Sequence, residues 1–513
     1  MTAIVAVVIA LNALGNGFPN DDQWIVAEAK DLQHPSQWWH ALTRPWWPYA
    51  NALWRPVTTL QLAIETWLGG GAATPYHAIN ALWHGAASAL VVALALRIAP
   101  PVAAAAAGLF FALHPIHVEP IATLVGRADL SVTVFLLLAA HIASRRAPLT
   151  RELGWQIAAC AFAALGSKES GVAAPLIVWA ASRLVRPTRE SFVAAAWAAA
   201  GIVPLLIGRW FVLGTLGGDE PHPAWVGLAP GVAIPFALRS LAVGAGWLTW
   251  PRPPVFEHAP PERLILAPEA WLVAVGTALV AAAAWAAWRQ WRRPAPMALA
   301  LLWWWATILP VSNLVFRSGI VLADRVLYAP SVGAALALAA LLSGLPAARG
   351  LQRAAIGATV AVAAYGGVLT WRDLPVWKDS ETLIAAFVTR APESWSGYLF
   401  RGLARTSTGD RAGAIADYDR GIALFPREGR LLRERAKFAL QDGDSTRAID
   451  WLERSVAVYP KAIRTRQILL DIYRRRGDAA ARCRLLVPGV ALAADQRRWQ
   501  QELAELRTAG QCR

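Results

Sequence analysis

The chain has 513 residues, of which 56% are hydrophobic and only 16% are charged, and 27 of its residues are tryptophan. Soluble globular domains carry about 25% charged residues, so this composition excludes a wholly soluble protein. The net charge of +15 is divided almost equally between residues 1–371 and residues 372–513, and it does not indicate nucleic-acid binding. Cys160, Cys483 and Cys512 show no CxxC or metal-binding spacing, which argues against a disulfide framework or a zinc site.

The density of charged residues changes near Arg372. About 10.5% of residues 1–371 are charged, against about 31% of residues 372–513. A membrane-embedded body followed by a soluble tail accounts for this difference. We therefore predict an all-α polytopic membrane protein with a body at 1–371, a linker at 372–394 and a repeat region at 395–513.

Twelve apolar runs of near membrane-spanning length divide the body, and Pro, Gly and Arg separate them. These runs cover residues 2–17, 74–96, 101–115, 128–144, 153–166, 170–185, 191–213, 231–250, 268–288, 296–316, 328–346 and 353–371.

Arginines indicate the side of the membrane on which each loop lies. Five loops between the runs hold twelve basic residues and two acidic ones, so the positive-inside rule places these loops in the cytoplasm. They can share that side only if the run 231–250, which contains Pro235 and Arg239, does not cross. We therefore predict about eleven transmembrane helices, a cytoplasmic N-terminus and an extracytoplasmic tail.

The tail repeats with a period of 34 residues. Small residues and a proline recur at this spacing: Gly402, Ala414, Gly421 and Pro426 match Ala436, Ala448, Ser455 and Pro460. This pattern is typical of tetratricopeptide repeats, in which small side chains let paired helices approach. We predict repeats at 395–428 and 429–462, a degenerate one at 463–496, and a solenoid groove that binds a protein or peptide. Generic amphipathic helices are the alternative.

Ionisable residues at the predicted outer side of the body are the candidates for chemistry, because such side chains are costly between apolar helices unless they face a polar cavity. The first outer loop, 18–73, is rich in tryptophan and begins with Asp21 and Asp22. The remaining candidates form two groups further along the chain: His114, His117, Glu119, Arg127 and Asp129, and then Lys168, Glu169, Asp324, Arg325 and Tyr328.

Transfer of a sugar from a lipid phosphate to a hydroxyl group needs this combination. A carboxylate takes the hydroxyl proton, while cations stabilise the departing phosphate. Structural interpretations stay open at this point. Asp21 and Asp22 could cap a helix, His114 and His117 could satisfy free carbonyls, and the pairs Lys168–Glu169 and Arg127–Asp129 could be local ion pairs. His77 and His84 are more typical of packing.

Several blocks, in this order, resemble the TMTC family of transmembrane, tetratricopeptide-repeat O-mannosyltransferases of the GT-C class. They are Asp21-Asp22, the WRPVT block from Trp54, HPIHVEPIATLVGRADL from His114, KESG from Lys168, DRVLYAPS from Asp324 and WKDSETL from Trp377. The resemblance implies a GT-C fold and a polyprenyl-phosphate-linked sugar as donor, with no covalently bound cofactor. The resemblance does not decide whether a divalent metal is required.

The resemblance also implies roles for individual residues. Asp21 or Asp22 would hold the catalytic base, with Glu119 as a further candidate. Arg55, Arg127, Lys168 and Arg325 would bind the donor phosphate, and the cavity would be lined by His114, His117, Asp129, Glu169 and Tyr328. No metal ligands are predicted.

The predicted function is the transfer of a sugar, mannose by resemblance, to Ser/Thr hydroxyls of exported proteins. The Ala- and Arg-rich, Lys-poor composition indicates a bacterial inner-membrane protein. Two alternatives stay open: a GT-C transferase that modifies a lipid or glycan, and an inactive membrane-anchored repeat scaffold.

Overall fold

The structure is a computed structural model, and it describes residues 1–47, 53–217, 221–346, 349–460, 462–492 and 497–512. Residues 48–52 of the predicted first loop and 493–496 of the predicted third repeat lie outside the described residues. The described chain is helical and contains no β-strand, only an isolated bridge between His258 and Leu322. It divides into two compact units.

The first unit comprises residues 1–222, 233–258 and 267–390. Its helices are α1 (Thr2–Ala10), α2 (Lys30–Gln33), α3 (Trp38–Thr43), α4 (Pro56–Gly69), α5 (Ala73–Ala95), α6 (Pro101–Leu113), α7 (Val118–Ala122), α8 (Arg127–Ala143), α9 (Arg151–Ser167), α10 (Ala174–Ser182), α11 (Thr188–Leu213), α12 (Pro230–Thr249, whose first turn falls in the second unit), α14 (Ala270–Arg292), α15 (Pro296–Ile308), α16 (Tyr328–Gly344), α17 (Arg349–Asp373) and α18 (Ser380–Arg390).

Each of the twelve apolar runs contains a helix, but fewer than eleven qualify as membrane spans by length and composition. Six described helices qualify: α5, α11, α12, α14, the segment Asp324–Gly344 that contains α16, and the segment Gly350–Trp377 that contains most of α17. A seventh results if α6 and the segment Pro115–Ala122, bent by 48°, count as one span. The count of eleven stays a prediction, because several other helices are shorter than a bilayer requires.

The run predicted not to cross is a continuous helix. α12 contains Pro235 and has the length and composition of a span. Its helical geometry therefore gives no support to a re-entrant loop, and only the arginine distribution argues against a crossing. On which side of the membrane each end of the chain lies stays a prediction.

Small residues allow the helices of the body to pack closely. A side chain at Gly201 of α11 would collide with the backbone of Ala158 in α9, and one at Gly333 of α16 would collide with the backbone of Ala300 in α15. Close backbone approach at glycine is a frequent means of helix association in membranes, where burial of apolar surface contributes little.

The second unit comprises residues 223–232, 259–266 and 391–513. It contains α13 (Glu262–Leu266) and the helices α19 (Trp395–Thr408), α20 (Arg411–Leu424), α21 (Gly429–Gln441), α22 (Ser445–Val458), α23 (Ile463–Arg476), α24 (Ala479–Leu492) and α25 (Arg497–Thr508). The short segment around α13 packs within this unit, where Glu262 pairs with Arg427 at 2.5 Å.

Three turns of this unit have the same structure. Asp410, Asp444 and Asp478 each precede a helix and accept a hydrogen bond at 2.9 Å from the backbone N–H three residues later. A glycine in the left-handed conformation stands before each aspartate, with φ of 84°, 80° and 68°. N-capping by aspartate satisfies a free helix N–H, and glycine adopts positive φ without a Cβ clash. The 34-residue period therefore extends into the third helix pair, which the small-residue pattern had marked as degenerate.

A disulfide joins Cys483 of α24 to Cys512 beyond α25. The spacing of the cysteines did not predict this bond. The two cysteines are 29 residues apart in the sequence and meet only when α25 folds back. One bond is not a disulfide framework, but it does fasten the last described helix to its neighbour. Cys160 of α9 is free.

Candidate functional site

A tight turn after α1 presents Asp21 and Asp22. Asn20 has a φ of 48°, a conformation in which asparagine is more common than most residues, and its N–H donates to Ser380 Oγ at 2.9 Å. The N–H of Gly17 donates to the carbonyl oxygen of Lys378 at 2.9 Å. The WKDSETL block from Trp377 therefore anchors the turn that carries the two aspartates.

The two aspartates have different surroundings. The Asp22 side chain is fully buried, and its oxygens accept hydrogen bonds from the backbone N–H groups of Leu124 (2.8 Å) and Val125 (2.9 Å). Burial raises the pKa of Asp22 to about 8, although both N–H groups favour its ionised form. Asp21 is half-buried, and within the described residues its carboxylate has neither a hydrogen bond nor an ion pair.

Burial and three nearby charged side chains act on the pKa of Asp21. Burial raises the pKa of Asp21, the Glu257 carboxylate raises it further, and the guanidinium groups of Arg325 and Arg55 oppose both effects. Of the acids predicted for the site, Asp21 is the one whose carboxylate has no hydrogen bond or ion pair within the described residues, whereas the others are bonded.

Arg325 and Glu119 form an ion pair with an Nη1–Oε1 distance of 2.6 Å, and the Arg325 backbone N–H also donates to Glu119 Oε2 at 3.2 Å. Glu119 is 4% exposed, whereas Arg325 is 24% exposed. In the described part of the chain, Nε and Nη2 of Arg325 have no hydrogen-bond partner. Glu119, predicted as a base candidate, is thus committed to holding Arg325, and Arg325 keeps donors for a ligand.

Arg55 and Lys168 are the next two predicted cations. Arg55 donates to Glu169 at 2.8 Å and lies 5.3 Å from the Trp46 ring. Glu169 also lies 3.7 Å from Arg209 of α11. Burial favours the neutral form of Glu169, but Arg55 and Arg209 outweigh it and lower its pKa.

Lys168 does not pair with its neighbour Glu169. Its Nζ lies 2.5 Å from Oδ1 of Asp129 on α8, and both side chains are buried. Burial lowers the pKa of Lys168, and Asp129 opposes that effect. The local-pair interpretation of the Lys168–Glu169 turn is therefore wrong, because Lys168 pairs with Asp129 of α8 and Glu169 pairs with Arg55, which directly precedes α4.

Arg127 does not face a cavity. Its side chain is fully buried, pairs with Glu65 of α4, and donates to Asn80 Oδ1 at 2.8 Å and to the Tyr76 carbonyl at 3.2 Å. A guanidinium surrounded by internal acceptors is unavailable to a phosphate. We therefore remove Arg127 from the phosphate-binding set and assign it to packing of α4, α5 and α8.

His114, His117 and Tyr328 are buried beneath the site rather than exposed in a cavity. His114 Nδ1 accepts from the N–H of Ile116 at 3.3 Å, and His117 Nε2 lies 2.9 Å from Ser331 Oγ. His117 also interacts with the backbone of Phe111 in the last turn of α6, as the free-carbonyl interpretation predicted. His84 makes a similar contact, with Nε2 lying 3.0 Å from the carbonyl oxygen of Ala112 near the end of α6.

Sequence reasoning missed the Pro-rich segment that follows α12. Asp324 accepts from Arg252 at 2.5 Å and from the Val255 N–H at 2.9 Å, and this anchors the segment beside Arg325. Glu257 follows, 3.7 Å from His222 and 13% exposed. The available signal was polarity, since Arg252, Glu257 and His258 interrupt a stretch that is otherwise proline and apolar.

No group of three or more His, Cys, Asp or Glu side chains within the described ranges is arranged to hold a metal ion. The site's cations are instead arginine and lysine, which bind phosphate oxygens directly.

The chain was compared with known proteins. It is 37% identical over 142 residues to Protein O-mannosyl-transferase Tmtc2 of Drosophila melanogaster, which covers 26% of this chain and 15% of the relative. It is 35% identical over 182 residues to Tmtc1 of the same species, covering 34% of this chain and 21% of the relative. It is 30% identical over 185 residues to TMTC2 of Homo sapiens, with coverages of 34% and 22%.

No family model matches the chain, and no solved structure matches it significantly. The matched region spans about a fifth or less of the curated relatives' own length. Within that region the identity is 30% to 37% with proteins of one kind from insects and vertebrates. The chain is therefore similar to TMTC proteins over about a quarter to a third of its length.

Proposed function

We propose that this protein is an integral-membrane glycosyltransferase that moves mannose from a polyprenyl-phosphate donor to Ser/Thr hydroxyls of exported proteins. The observation that carries the proposal is the contrast among the site's acids. Asp22, Glu119, Asp129 and Glu169 are held by backbone N–H groups or cations, and Asp21 has no such partner in the described chain.

Asp21 is the general base in this proposal. A carboxylate accepts a hydroxyl proton best when it is ionised and not already saturated with donors. Arg325 and Arg55 lower the pKa of Asp21 against the effect of burial and so favour its ionised form. Asp22 acts as a positioning residue that fixes the turn against Leu124 and Val125.

Arg325 is the principal cation for the donor phosphate. Its Nε and Nη2, which have no hydrogen-bond partner among the described residues, form the fork that binds two phosphate oxygens, and Glu119 holds the opposite side of the guanidinium. Arg55 is 12% exposed and supplies a second positive charge. Lys168 is more buried and neutralises Asp129.

The acceptor oxygen forms a bond to the anomeric carbon as its proton passes to Asp21. The bond between that carbon and the phosphate oxygen breaks, and polyprenyl phosphate leaves with the electron pair beside Arg325. Deprotonation of Asp21 by water restores the site.

The helix pairs of the second unit support a protein acceptor. Their 34-residue period, the three aspartate caps and the contact of Gly402 with the Tyr418 ring are features of tetratricopeptide repeats. Solenoids of such repeats bind extended peptides, which suits a polypeptide substrate better than a lipid headgroup.

The Cys483–Cys512 disulfide supports an extracytoplasmic location for the repeats, because disulfides persist in oxidising compartments and are rare in the cytosol. The substrate would then be a protein already exported across the membrane. The arginine-rich loops of the body, on the cytoplasmic side by the positive-inside rule, are consistent with this arrangement.

The test is an assay of the purified full-length protein with radiolabelled mannosyl polyprenyl phosphate and Ser/Thr peptides. We expect alkali-labile label on the peptide from the wild type and none from Asp21→Asn, with Glu28→Gln as an exposed, charge-matched control. Label on lipid alone would favour a lipid acceptor. Absence of label from every acceptor and from water would contradict the proposal.

A further inference from the structure

Two short segments of the body are joined side by side by hydrogen bonds. One contains His114, His117 and Glu119, and the other contains Arg325, Tyr328 and Ser331. Glu119 pairs with Arg325 at 2.6 Å, and His117 Nε2 lies 2.9 Å from Ser331 Oγ. The proposed phosphate site is therefore the outermost of several contacts between the same two segments.

A further buried contact links Tyr328 to a third element, helix α5. Tyr328 Oη lies 2.9 Å from His84 Nδ1, and His84 Nε2 lies 3.0 Å from the Ala112 carbonyl oxygen. A carbonyl only accepts, so Nε2 carries the proton and the Tyr328 hydroxyl donates to Nδ1. The geometry thus fixes the tautomer of His84 and satisfies both of its nitrogens.

The direction of the His117 bond follows in the same way. Ser331 Oγ donates to the Tyr328 carbonyl at 2.6 Å, so its oxygen accepts from the Nε2–H of His117. Phe111 packs against the His117 ring with centroids 4.5 Å apart, and Tyr328 packs against it at 4.6 Å. All of these side chains are buried, and the four bonds have defined donors and acceptors.

A proton relay does not fit these directions. Ser331 donates to a backbone carbonyl rather than to the Tyr328 hydroxyl, so no continuous path runs from His117 to His84. A buried and directed set of hydrogen bonds instead fixes one arrangement of the elements that it joins.

We propose that His117 and His84 are positioning residues, which act through Ser331 and Tyr328 to fix the depth and orientation of Arg325 in the donor-phosphate site. Arg325 stands on the short 3-10 turn Asp324–Leu327, three residues before Tyr328. A lipid phosphate lies at a depth set by the bilayer, and a displacement of about 1 Å can weaken a positioned interaction by orders of magnitude. The inference rests on the proposed function, because it assigns a phosphate to Arg325.

The test measures binding of undecaprenyl phosphate to full-length protein in nanodiscs, in parallel with the mannosyl-transfer assay. Tyr328→Phe leaves His84 Nδ1 without a donor, and His117→Leu leaves Ser331 Oγ without one. Each should raise the Kd for undecaprenyl phosphate about tenfold while the KM for the acceptor peptide stays unchanged. His117→Gln, which keeps an N–H at similar reach, should recover most of the affinity.

A double-mutant cycle distinguishes positioning from general destabilisation. If His117 acts through Arg325, its replacement by Leu should cost much less affinity in an Arg325→Lys background than in the wild type. Thr307→Ala removes a buried hydroxyl that bonds within its own helix, at 2.8 Å from the Trp303 carbonyl, and should leave the Kd unchanged. Ser331→Ala is the milder substitute if His117→Leu fails to fold.

Full additivity in the cycle, or an equal rise in the peptide KM, would overturn the proposal. Wild-type protein that binds undecaprenyl phosphate but transfers no mannose would refute the proposed reaction and leave the positioning proposal standing. If the wild-type protein transfers mannose but the effects of the His117 and Arg325 substitutions on the Kd are additive, only the positioning proposal would be refuted. Wild-type protein that binds no undecaprenyl phosphate would overturn both.

Discussion

Asp21 and Asp22 are neighbours in the chain, yet the carboxylate of Asp22 accepts two backbone hydrogen bonds and that of Asp21 accepts none from the described residues. The aspartate pair therefore combines two tasks. Asp22 fastens the turn to the segment that follows α7, and Asp21 is left beside the cations of the site. A sequence in which both positions are aspartate cannot by itself distinguish these roles.

The first prediction separates the two aspartates by mutation. Asp21→Asn should lower the transfer rate by about 10² to 10⁴ with normal thermal stability, because it removes only the proton acceptor. Asp22→Asn should lower stability by about 1–3 kcal/mol, because its amide group would place N–H donors against the N–H of Leu124 or Val125. Transfer rates and melting temperatures of both variants check this, and unchanged rates in Asp21→Asn would move the base elsewhere.

The second prediction concerns pH. A general base works in its ionised form, so kcat/KM should rise with pH through the pKa of Asp21, which burial raises above its ordinary value of 3.8. Glu257 raises that pKa further, whereas Arg325 and Arg55 lower it. Glu257→Gln should therefore move the rising limb to lower pH. A pH profile beside that of the exposed control Glu28→Gln measures the shift, and a limb that moves upward would contradict this electrostatic account.

Sequence periodicity predicted the helices well but did not predict the partners of the charged residues. Arg127 and Asp129 are two residues apart, which suggested a local pair, yet Arg127 binds Glu65, 62 residues away, and Asp129 binds Lys168, 39 residues away. The spacing of apolar residues along the sequence is a local property, so it predicts helices. The partner of a buried charged side chain depends instead on which helices pack together. Adjacency was therefore a poor guide in the site.

The sequence also did not predict that His114 and His117, which were expected to line a cavity, are buried. A histidine between apolar helices can face a cavity or form a hydrogen bond with a buried hydroxyl group. Which of the two occurs depends on the residues of the helix packed opposite. His117 is bonded to Ser331, which is 214 residues away. The motif HPIHVEP placed the histidines close to Glu119 in the sequence, and the long-range contact with Ser331 shows how the imidazole of His117 is buried.

The third prediction tests the anchor of the turn that carries Asp21, the proposed base. Ser380→Ala removes the hydroxyl that accepts the Asn20 N–H, and it should lower kcat several-fold without changing the affinity for undecaprenyl phosphate. Ser407→Ala is a matched control, because its hydroxyl only bonds the carbonyl of Ala404 in its own helix. Steady-state kinetics and phosphate binding separate the two effects. A changed phosphate affinity would show that the anchor also shapes the donor site.

The fourth prediction concerns the disulfide. A bond that closes a loop of this length stabilises a domain by about 3–4 kcal/mol in the loop-entropy estimate, so replacing Cys483 and Cys512 by serine should lower the melting temperature of the repeats. Thiol alkylation of protein taken directly from cells should label Cys160 alone after denaturation, and all three cysteines after reduction. Labelling of all three without reductant would remove this support for an extracytoplasmic tail.

The last prediction tests the side of the membrane on which the repeats lie. α17 has 25 residues, and the segment Gly350–Trp377 has the length and composition of a span, so reporters fused after Gly350 and after Ser394 should lie on opposite sides. The cytoplasmic signal belongs after Gly350, because Arg349 and Arg353 flank that position. Reporter fusions are preferable to a protein truncated at Ser394. Within the second unit, Trp395 bonds Ala259 and Arg427 bonds Glu262. Truncation would remove these bonds from Ala259 and Glu262. If both reporters lie in the cytoplasm, α17 does not cross and the proposed meeting of the repeats with an exported substrate fails. If the two signals are opposite but reversed, the arginine-based orientation of the whole body is wrong, and the crossing of α12 is the first assignment to re-examine.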